Sequence, residues 1–431
     1  MQFYSLGNPE YKTSFRQAVI TGIAPDRSLF FPEHIPAFPK GFFETISEKD
    51  TIEIAFEGIR DFVGDEIPKE KLKAILEQVL DFDFPLVSIE EKVSTLELFH
   101  GPTMAFKDVG ARFMANCLGY FSEGERQEVT VLVATSGDTG GAVANGFLGV
   151  EGVNVVILYP SGKVSEIQEK QLTTLGQNIT ALEVAGTFDD CQHMVKTAFL
   201  DTDITRKRKL TSANSINVAR WLPQMFYYLI ACQKFQGNLE DIVFSVPSGN
   251  FGNICAGIVA QRMGMPVKHF IAATNVNDVV PRFMKNNNYE PKPSIATISN
   301  AMDVGDPSNF VRIQKLYQND FEQLSANLSS YTFTDEVTRK AMKHLYINEN
   351  YIADPHGAVG YLGIQSFREK HPEKHGIFLE TAHPVKFLDV VQDTLNIEPE
   401  VPKQIADILH KPKHAIPVSS YEGLKAFLME N

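Results

Sequence analysis

The stretch Ile242–Asn253, IVFSVPSGNFGN, runs directly into ICAGIVAQRM at 254–263. An apolar β-branched run, a loop of small residues and a helical pattern together predict a strand, a tight turn and a helix start. At such a junction successive backbone N–H groups converge and the helix dipole adds positive potential, which makes an anion site. Glycine lets the backbone approach the anion without a Cβ between them. The loop is neither GxGxxG nor a GK[ST] phosphate loop, so the nucleotide motifs do not apply. Taken alone, it also fits an ordinary strand-to-helix turn.

The same arrangement occurs a second time. Thr130–Ala134 (TVLVA) leads into Thr135-Ser136-Gly137-Asp138-Thr139-Gly140-Gly141 and then AVANGF. Hydroxyls at Thr135, Ser136 and Thr139 suit a bound carboxylate, and Asp138 reads equally well as a helix cap. Asn154–Tyr159, Phe270–Ala273 and Ile377–Leu379 are further short, almost wholly apolar runs. Strands buried on both faces look like this, so the expected class is α/β with mainly parallel sheets, and ligand loops at the strands' carboxyl ends. Ahead of these runs, helices are predicted near Asp50–Phe62 and Pro68–Leu80, while Leu29–Lys40, with three prolines, cannot be one helix.

Composition narrows the function classes. The 431 residues are 43% hydrophobic and 22% charged, which excludes disordered, collagenous and small disulfide-rich chains. A net charge of −13 disfavours nucleic acid as a partner. Any anionic ligand must be met by a local site. Cys117, Cys191, Cys232 and Cys255 form no CxxC pair, so neither a metal site nor a disulfide framework is expected. The N-terminus lacks a signal-peptide pattern and no apolar run approaches the ~20 residues of a membrane span. A reduced, cytoplasmic protein without membrane contact is the expectation.

One lysine stands out. In His100–Asp108, HGPTMAFKD, Lys107 follows an apolar, turn-containing stretch. Most lysines are solvated, but one among apolar groups loses basicity and becomes a candidate Schiff-base nucleophile. A lysine of this kind and a phosphate loop are the minimum that pyridoxal phosphate requires. A third cluster, Asn214-Ser215-Ile216-Asn217-Val218-Ala219-Arg220, sets amides, a hydroxyl and a guanidinium before the helical stretch WLPQMFYYLIA. Asn214 and Ser215 can cap that helix, with Asn217 and Arg220 on one face, where arginine offers bidentate bonds to phosphate. A plain capped helix fits the same residues.

The series HGPTMAFKD, ATSGDTGGAV, VPSGNFGN, ATNVNDVVPRF, SNAMDVGDPSN and ETAHPVKF resembles that of threonine synthases. The likeness is to the bacterial and fungal branch with an N-terminal segment, among fold-type II pyridoxal-phosphate enzymes. It implies a tryptophan synthase β-like fold. The implied division is an N-terminal module over 1–95, a small lobe over 96–215, a large lobe over 216–400 and a C-terminal helical segment over 401–431. It makes Lys107 the Schiff-base and proton-transfer residue, and Gly249, Asn250, Phe251 and Asn253 the holders of the cofactor phosphate. Thr381 would face the pyridine nitrogen and Asp138 the cofactor's 3′-oxygen. Many relatives carry Asp where this chain has Asn253. The implied substrate is O-phospho-L-homoserine, held by Thr135, Ser136, Thr139, Asn214, Ser215, Asn217 and Arg220, with L-threonine and phosphate as products. A phospho-lyase giving 2-oxobutyrate and a silent cofactor-binding protein are the alternatives. His100, His383, Asp108 and Lys386 read as structural, the last two as a pair fixing loops. The expected state is a monomer or weak homodimer.

Overall fold

The computed structural model describes residues 1–135 and 137–430. In chain order its strands are β1 (Gln2–Ser5), β2 (Lys12–Ser14), β3 (Phe30–Pro32), β4 (Leu86–Glu90), β5 (Val93–Glu97), β6 (Val129–Ala134) and β7 (Val153–Pro160). They continue as β8 (Ile179–Val184), β9 (Lys209–Thr211), β10 (Ile242–Pro247), β11 (His269–Thr274), β12 (Leu328–Thr332), β13 (His375–Glu380) and β14 (Ile416–Val418). One sheet runs β12-β11-β10-β13-β5-β4 and a second runs β14-β8-β7-β6-β9, while β2-β1-β3 form a small N-terminal sheet.

Every residue of β6 and of β10 is buried, as their unbroken apolar character predicts for strands covered on both faces. Their pairings are parallel, Val129 opposite Val153 and Val243 opposite His269. In the two large sheets, among the described residues, only β4 and β5 pair antiparallel. All five apolar runs noted in the sequence fall inside strands: β6, β7, β10, β11 and β13. The sheets also recruit strands that carry no such run. β5 pairs with β13, so residues ahead of 96 enter the large sheet. β14 pairs with β8, so the segment beyond 401 contributes a strand between its helices Lys403–Leu409 and Tyr421–Glu430. Both β4 and β14 are edge strands with polar or exposed residues, and edges need no continuous apolar run.

Two N-terminal helices lie where the sequence puts them. Asp50 caps Thr51–Val63 by accepting the Glu53 N–H at 2.8 Å, and Pro68 precedes Lys69–Val79. The helix Met225–Lys234 is buried from Met225 to Cys232, which places it in the middle of the core. Arg312, wholly buried, stacks on Trp221 with its guanidinium carbon 4.1 Å from the ring centre. It donates to the carbonyls of Phe30 and Ile216 at 2.9 and 2.7 Å. The N-terminal sheet is thereby tied to the segment ahead of Val218. All four cysteines are free and buried. No helix among the described residues is long and apolar enough to cross a membrane.

β13 ends on Glu380, which is fully buried. Its Oε1 accepts the Asp354 N–H at 2.6 Å, and its Oε2 has no partner among the described residues. Burial, then the Asp354 carboxylate, pushes this acid well above its ordinary 4.5. Folding therefore takes up a neutral Glu380. Its stabilising contribution is complete below about pH 4.5 and is lost as pH rises toward the folded value. Glu380→Gln, neutral throughout, should gain thermal midpoint relative to the native protein between pH 5 and pH 8.5. An equal difference at both pH values would contradict this.

Candidate active site

The lysine is held by a short stitch between distant segments. Phe106 N–H donates to the Thr381 carbonyl at 2.8 Å, His383 N–H donates to Met104 at 3.0 Å, and Ala105 faces Ala382 antiparallel. Met104 adopts a left-handed φ of 58°, a conformation that costs a non-glycine residue about 1–2 kcal/mol. The Tyr227 hydroxyl closes on the Phe106 carbonyl. Lys107 then opens the helix Lys107–Ser122 directly beside Thr381 and the end of β13. It is partly exposed, yet burial lowers its amine to about 8. Asp138 pulls the value up, and Lys386 and Arg220 push it down.

Asp138 is the first residue of the helix Asp138–Phe147. Burial opposes its ionisation, but the ammoniums of Lys386 and Lys107 outweigh that and hold the carboxyl below its usual range. Lys386 Nζ lies 2.7 Å from Asp138 Oδ1, and Gln168 Nε2 donates to the same oxygen at 3.1 Å. Asp108, the partner expected for Lys386, instead accepts the Thr103 N–H at 2.9 Å and the Thr103 hydroxyl. The two residues are bridged by Thr103, whose carbonyl takes Lys386 Nζ at 2.9 Å. Gly137 has φ +154°, and a Cβ there would lie 2.5 Å from Gln168 Nε2. Thr135 is occupied within the loop, since its hydroxyl donates to Gly137 O and accepts the N–H groups of Gly137 and Gly140. Thr139 is partly exposed on the first helical turn. Ser136 lies outside the described residues.

The second loop follows β10. Phe251, left-handed at φ 60°, precedes the helix Gly252–Arg262. A Cβ on Gly249 would sit 2.7 Å from Met302 Cα, so only glycine fits. Asn250 accepts the Ser308 N–H at 2.7 Å and donates to Ser215 Oγ at 2.9 Å. Asn253 is 5% exposed; its Oδ1 accepts from the Tyr228 hydroxyl, and its Nδ2 has no partner among the described residues. A buried donor left open beside a helix N-terminus is what an anion would complete. The backing of this loop was not read from the sequence. Asn275 donates to Asp303 at 2.9 Å and Thr297 to the same carboxylate at 2.7 Å, which holds the turn carrying Met302. ATNVNDVVPRF and SNAMDVGDPSN were visible as motifs, but the pairing of Asn275 with Asp303 is a long-range fact.

The 214–220 cluster divides. Arg220 is 3% exposed, donates to the Ala213 carbonyl, and keeps its Nε unpartnered among the described residues. Asn214 Oδ1 is likewise open. Asn217, however, is fully buried and committed. It caps the helix Val218–Trp221 by accepting the Ala219 N–H at 3.0 Å, and it donates to Val19 O at 2.9 Å and Ser212 O at 3.2 Å. The cap is therefore Asn217 rather than Asn214 or Ser215, because the chain is still extended at Asn217. His383 caps the turn Pro384–Phe387 with Nδ1 accepting the Val385 N–H. Asn217→Ala would strand the buried Ser212 carbonyl and a helix N–H, and leave Val19 O to the Thr211 hydroxyl, so it should cost about 2–3 kcal/mol. Urea unfolding of the variant checks this.

Comparison with known proteins bears on the fold and the family. Residues 93–379 match the family "Pyridoxal-phosphate dependent enzyme", residues 2–80 match "Threonine synthase N terminus", and residues 357–428 match "Threonine synthase, C-terminal". The threonine synthase of Serratia marcescens is 43% identical, covering 100% of this chain and 99% of its own. The crystal structure of threonine synthase from Escherichia coli superposes with a TM-score of 0.93 at 42% identity, over 100% of this chain and 99% of that one. The pyridoxal-phosphate-bound threonine synthase from Brucella melitensis gives 0.92 at 32% identity, over 99% and 98%. With the family models spanning most of its length and relatives matched from end to end, the chain belongs to the threonine synthase family of fold-type II pyridoxal-phosphate enzymes.

Proposed function

We infer that the chain converts O-phospho-L-homoserine and water to L-threonine and phosphate, with Lys107 as the residue that carries pyridoxal phosphate. The observation behind this is a partly buried lysine of lowered basicity, beside Thr381 and charge-coupled to both Asp138 and Arg220. The residues fit the cofactor. Asn253 Nδ2 and the opening amides of Gly252–Arg262 would hold its phosphate, with Gly249 leaving the backbone clear. Thr381 would meet the ring nitrogen with a neutral hydroxyl, and Asp138 lies on the opposite loop. Bound there, pyridoxal phosphate supplies an electron sink that makes the substrate's Cα–H acidic.

The chain's own groups then divide the work. Lys107 Nζ, lowered by burial to about 8, removes the Cα proton in its uncharged form and returns protons later. Arg220, with its open Nε, Asn214 and Ser215 would bind the substrate phosphate and retain it as it leaves Cγ. Thr139 and Ser136 would orient the carboxylate, with Thr135 shaping that loop from within. Asn217 supports the phosphate site from behind. Closure of a small lobe (96–215) over a large one (216–400) would meter the single water that adds at Cβ. The net charge of −13 supports small-molecule work without nucleic acid. We take the chain to act in the cytoplasm as a monomer or weak homodimer.

Incubation with O-phosphohomoserine and cofactor should release threonine and phosphate in equal amounts. Accumulation of 2-oxobutyrate instead would point to the phospho-lyase. Lys107→Ala should lose both turnover and the visible absorbance of lysine-linked cofactor. Arg220→Lys should lower kcat/KM by about 10²-fold, the scale of a lost buried charge contact. Loading of the cofactor-free protein requires the uncharged amine. Its rate should therefore rise with pH through an inflection near 8, not near 10.5.

A further inference from the structure

Lys386 is a charged residue for which the reaction above has no use. Its side chain is 0% exposed, in the turn Pro384–Phe387 that follows β13. It sits 2.7 Å from Asp138 Oδ1 and donates to the Thr103 carbonyl at 2.9 Å. Gln171 Nε2 reaches the same Thr103 carbonyl at 3.1 Å, and Gln168 reaches the same Asp138 oxygen at 3.1 Å. Uncharged donors thus already reach both acceptors that Lys386 uses. Burying an ammonium there is expensive unless its charge itself matters.

The charges that face Lys107 show what it does. On its own helix Asp108 is closed off by Thr103, and Arg112 is paired with Asp81. From Val218–Trp221 comes Arg220, from Met225–Lys234 comes the Tyr227 hydroxyl, and from Asp138–Phe147 comes the Asp138 carboxylate. From the segment after β13 come Lys386 and His383, whose Nδ1 is occupied by the Val385 N–H. Asp138 is therefore the anion that would hold Lys107 protonated, and Lys386 is the cation in contact with it.

We propose that Lys386 is a positioning residue for Lys107: its ammonium neutralises Asp138 in a buried ion pair and so leaves the Lys107 amine free to act uncharged. The inference rests on the assignment of Lys107 as the cofactor-bearing residue. An uncompensated charge within about 4–6 Å moves a pKa by one to three units. The expected consequence is a shift in the pH at which Lys107 becomes reactive, not merely a loss of stability.

The test is the rate at which full-length, cofactor-free protein acquires visible absorbance on mixing with pyridoxal phosphate, followed from pH 5.5 to 10. Lys386→Gln should move the inflection upward by about one unit or more. Lys386→Arg should keep it near the native position, and Lys386→Gln combined with Asp138→Asn should bring it back. Asp138→Asn alone should move it downward, which gives an independent reading if Lys386→Gln does not fold. An inflection unmoved in Lys386→Gln, or equally displaced in the double variant, overturns the proposal, as does an unmoved inflection in Asp138→Asn. Lys107→Ala separates the two levels of the inference. Absorbance retained there would overturn the lysine assignment itself, whereas absorbance lost there with no shift in the Lys386 variants removes only the role of Lys386.

Discussion

The site depends on a backbone pairing only three residues long. Met104–Phe106 lies antiparallel to Thr381–His383, and through it the helix Lys107–Ser122 starts at the end of β13. Hydrogen bonds of this kind are modest singly, about 1 kcal/mol net. Their geometric effect is larger. They set Lys107 beside Thr381 and place Lys386, five residues further on, within reach of Asp138. The left-handed Met104 and the Tyr227 hydroxyl on Phe106 are part of the same arrangement. Strain and buried polar groups collect where position matters more than stability.

Around that stitch the protein manages charge locally. The chain carries −13 overall, yet its inner loops hold Lys107 and Lys386 against Asp138, with Arg220 facing the buried Asp108. Burial makes each of these charges costly, and the pairing of Lys386 with Asp138 offsets part of that cost. Open donors at Asn253 and Arg220 extend the positive potential toward the loops. Positive field is thus assembled from helix starts and a few buried cations rather than from the surface.

Much of this was legible in the residues. The apolar runs in β6, β7, β10, β11 and β13 announced the sheets because strands covered on both faces must be apolar throughout. The glycine-rich turns announced the loops because small residues are required where backbone crowds backbone, as Gly249 does against Met302. Edge strands β4 and β14 were not announced, since a half-exposed strand carries no unbroken apolar signal. The roles inside the clusters were less legible still. Asn217 looked like a phosphate ligand and is a helix cap tied to Val19. Lys386 looked like the partner of Asp108 and belongs to Asp138.

What the sequence determined by itself was the fold class, the lysine and the two loops, because each rests on local chemistry: apolar periodicity, glycine at a tight turn, a lysine among apolar neighbours. What the tertiary structure alone decided was pairing. Asp138 and Lys386 stand 248 positions apart in the chain, and Val19 and Asn217 stand 198 apart. Which buried charge meets which, and which amide is spent on a carbonyl, depends on how two sheets and an N-terminal module pack together. No local pattern of residues encodes that.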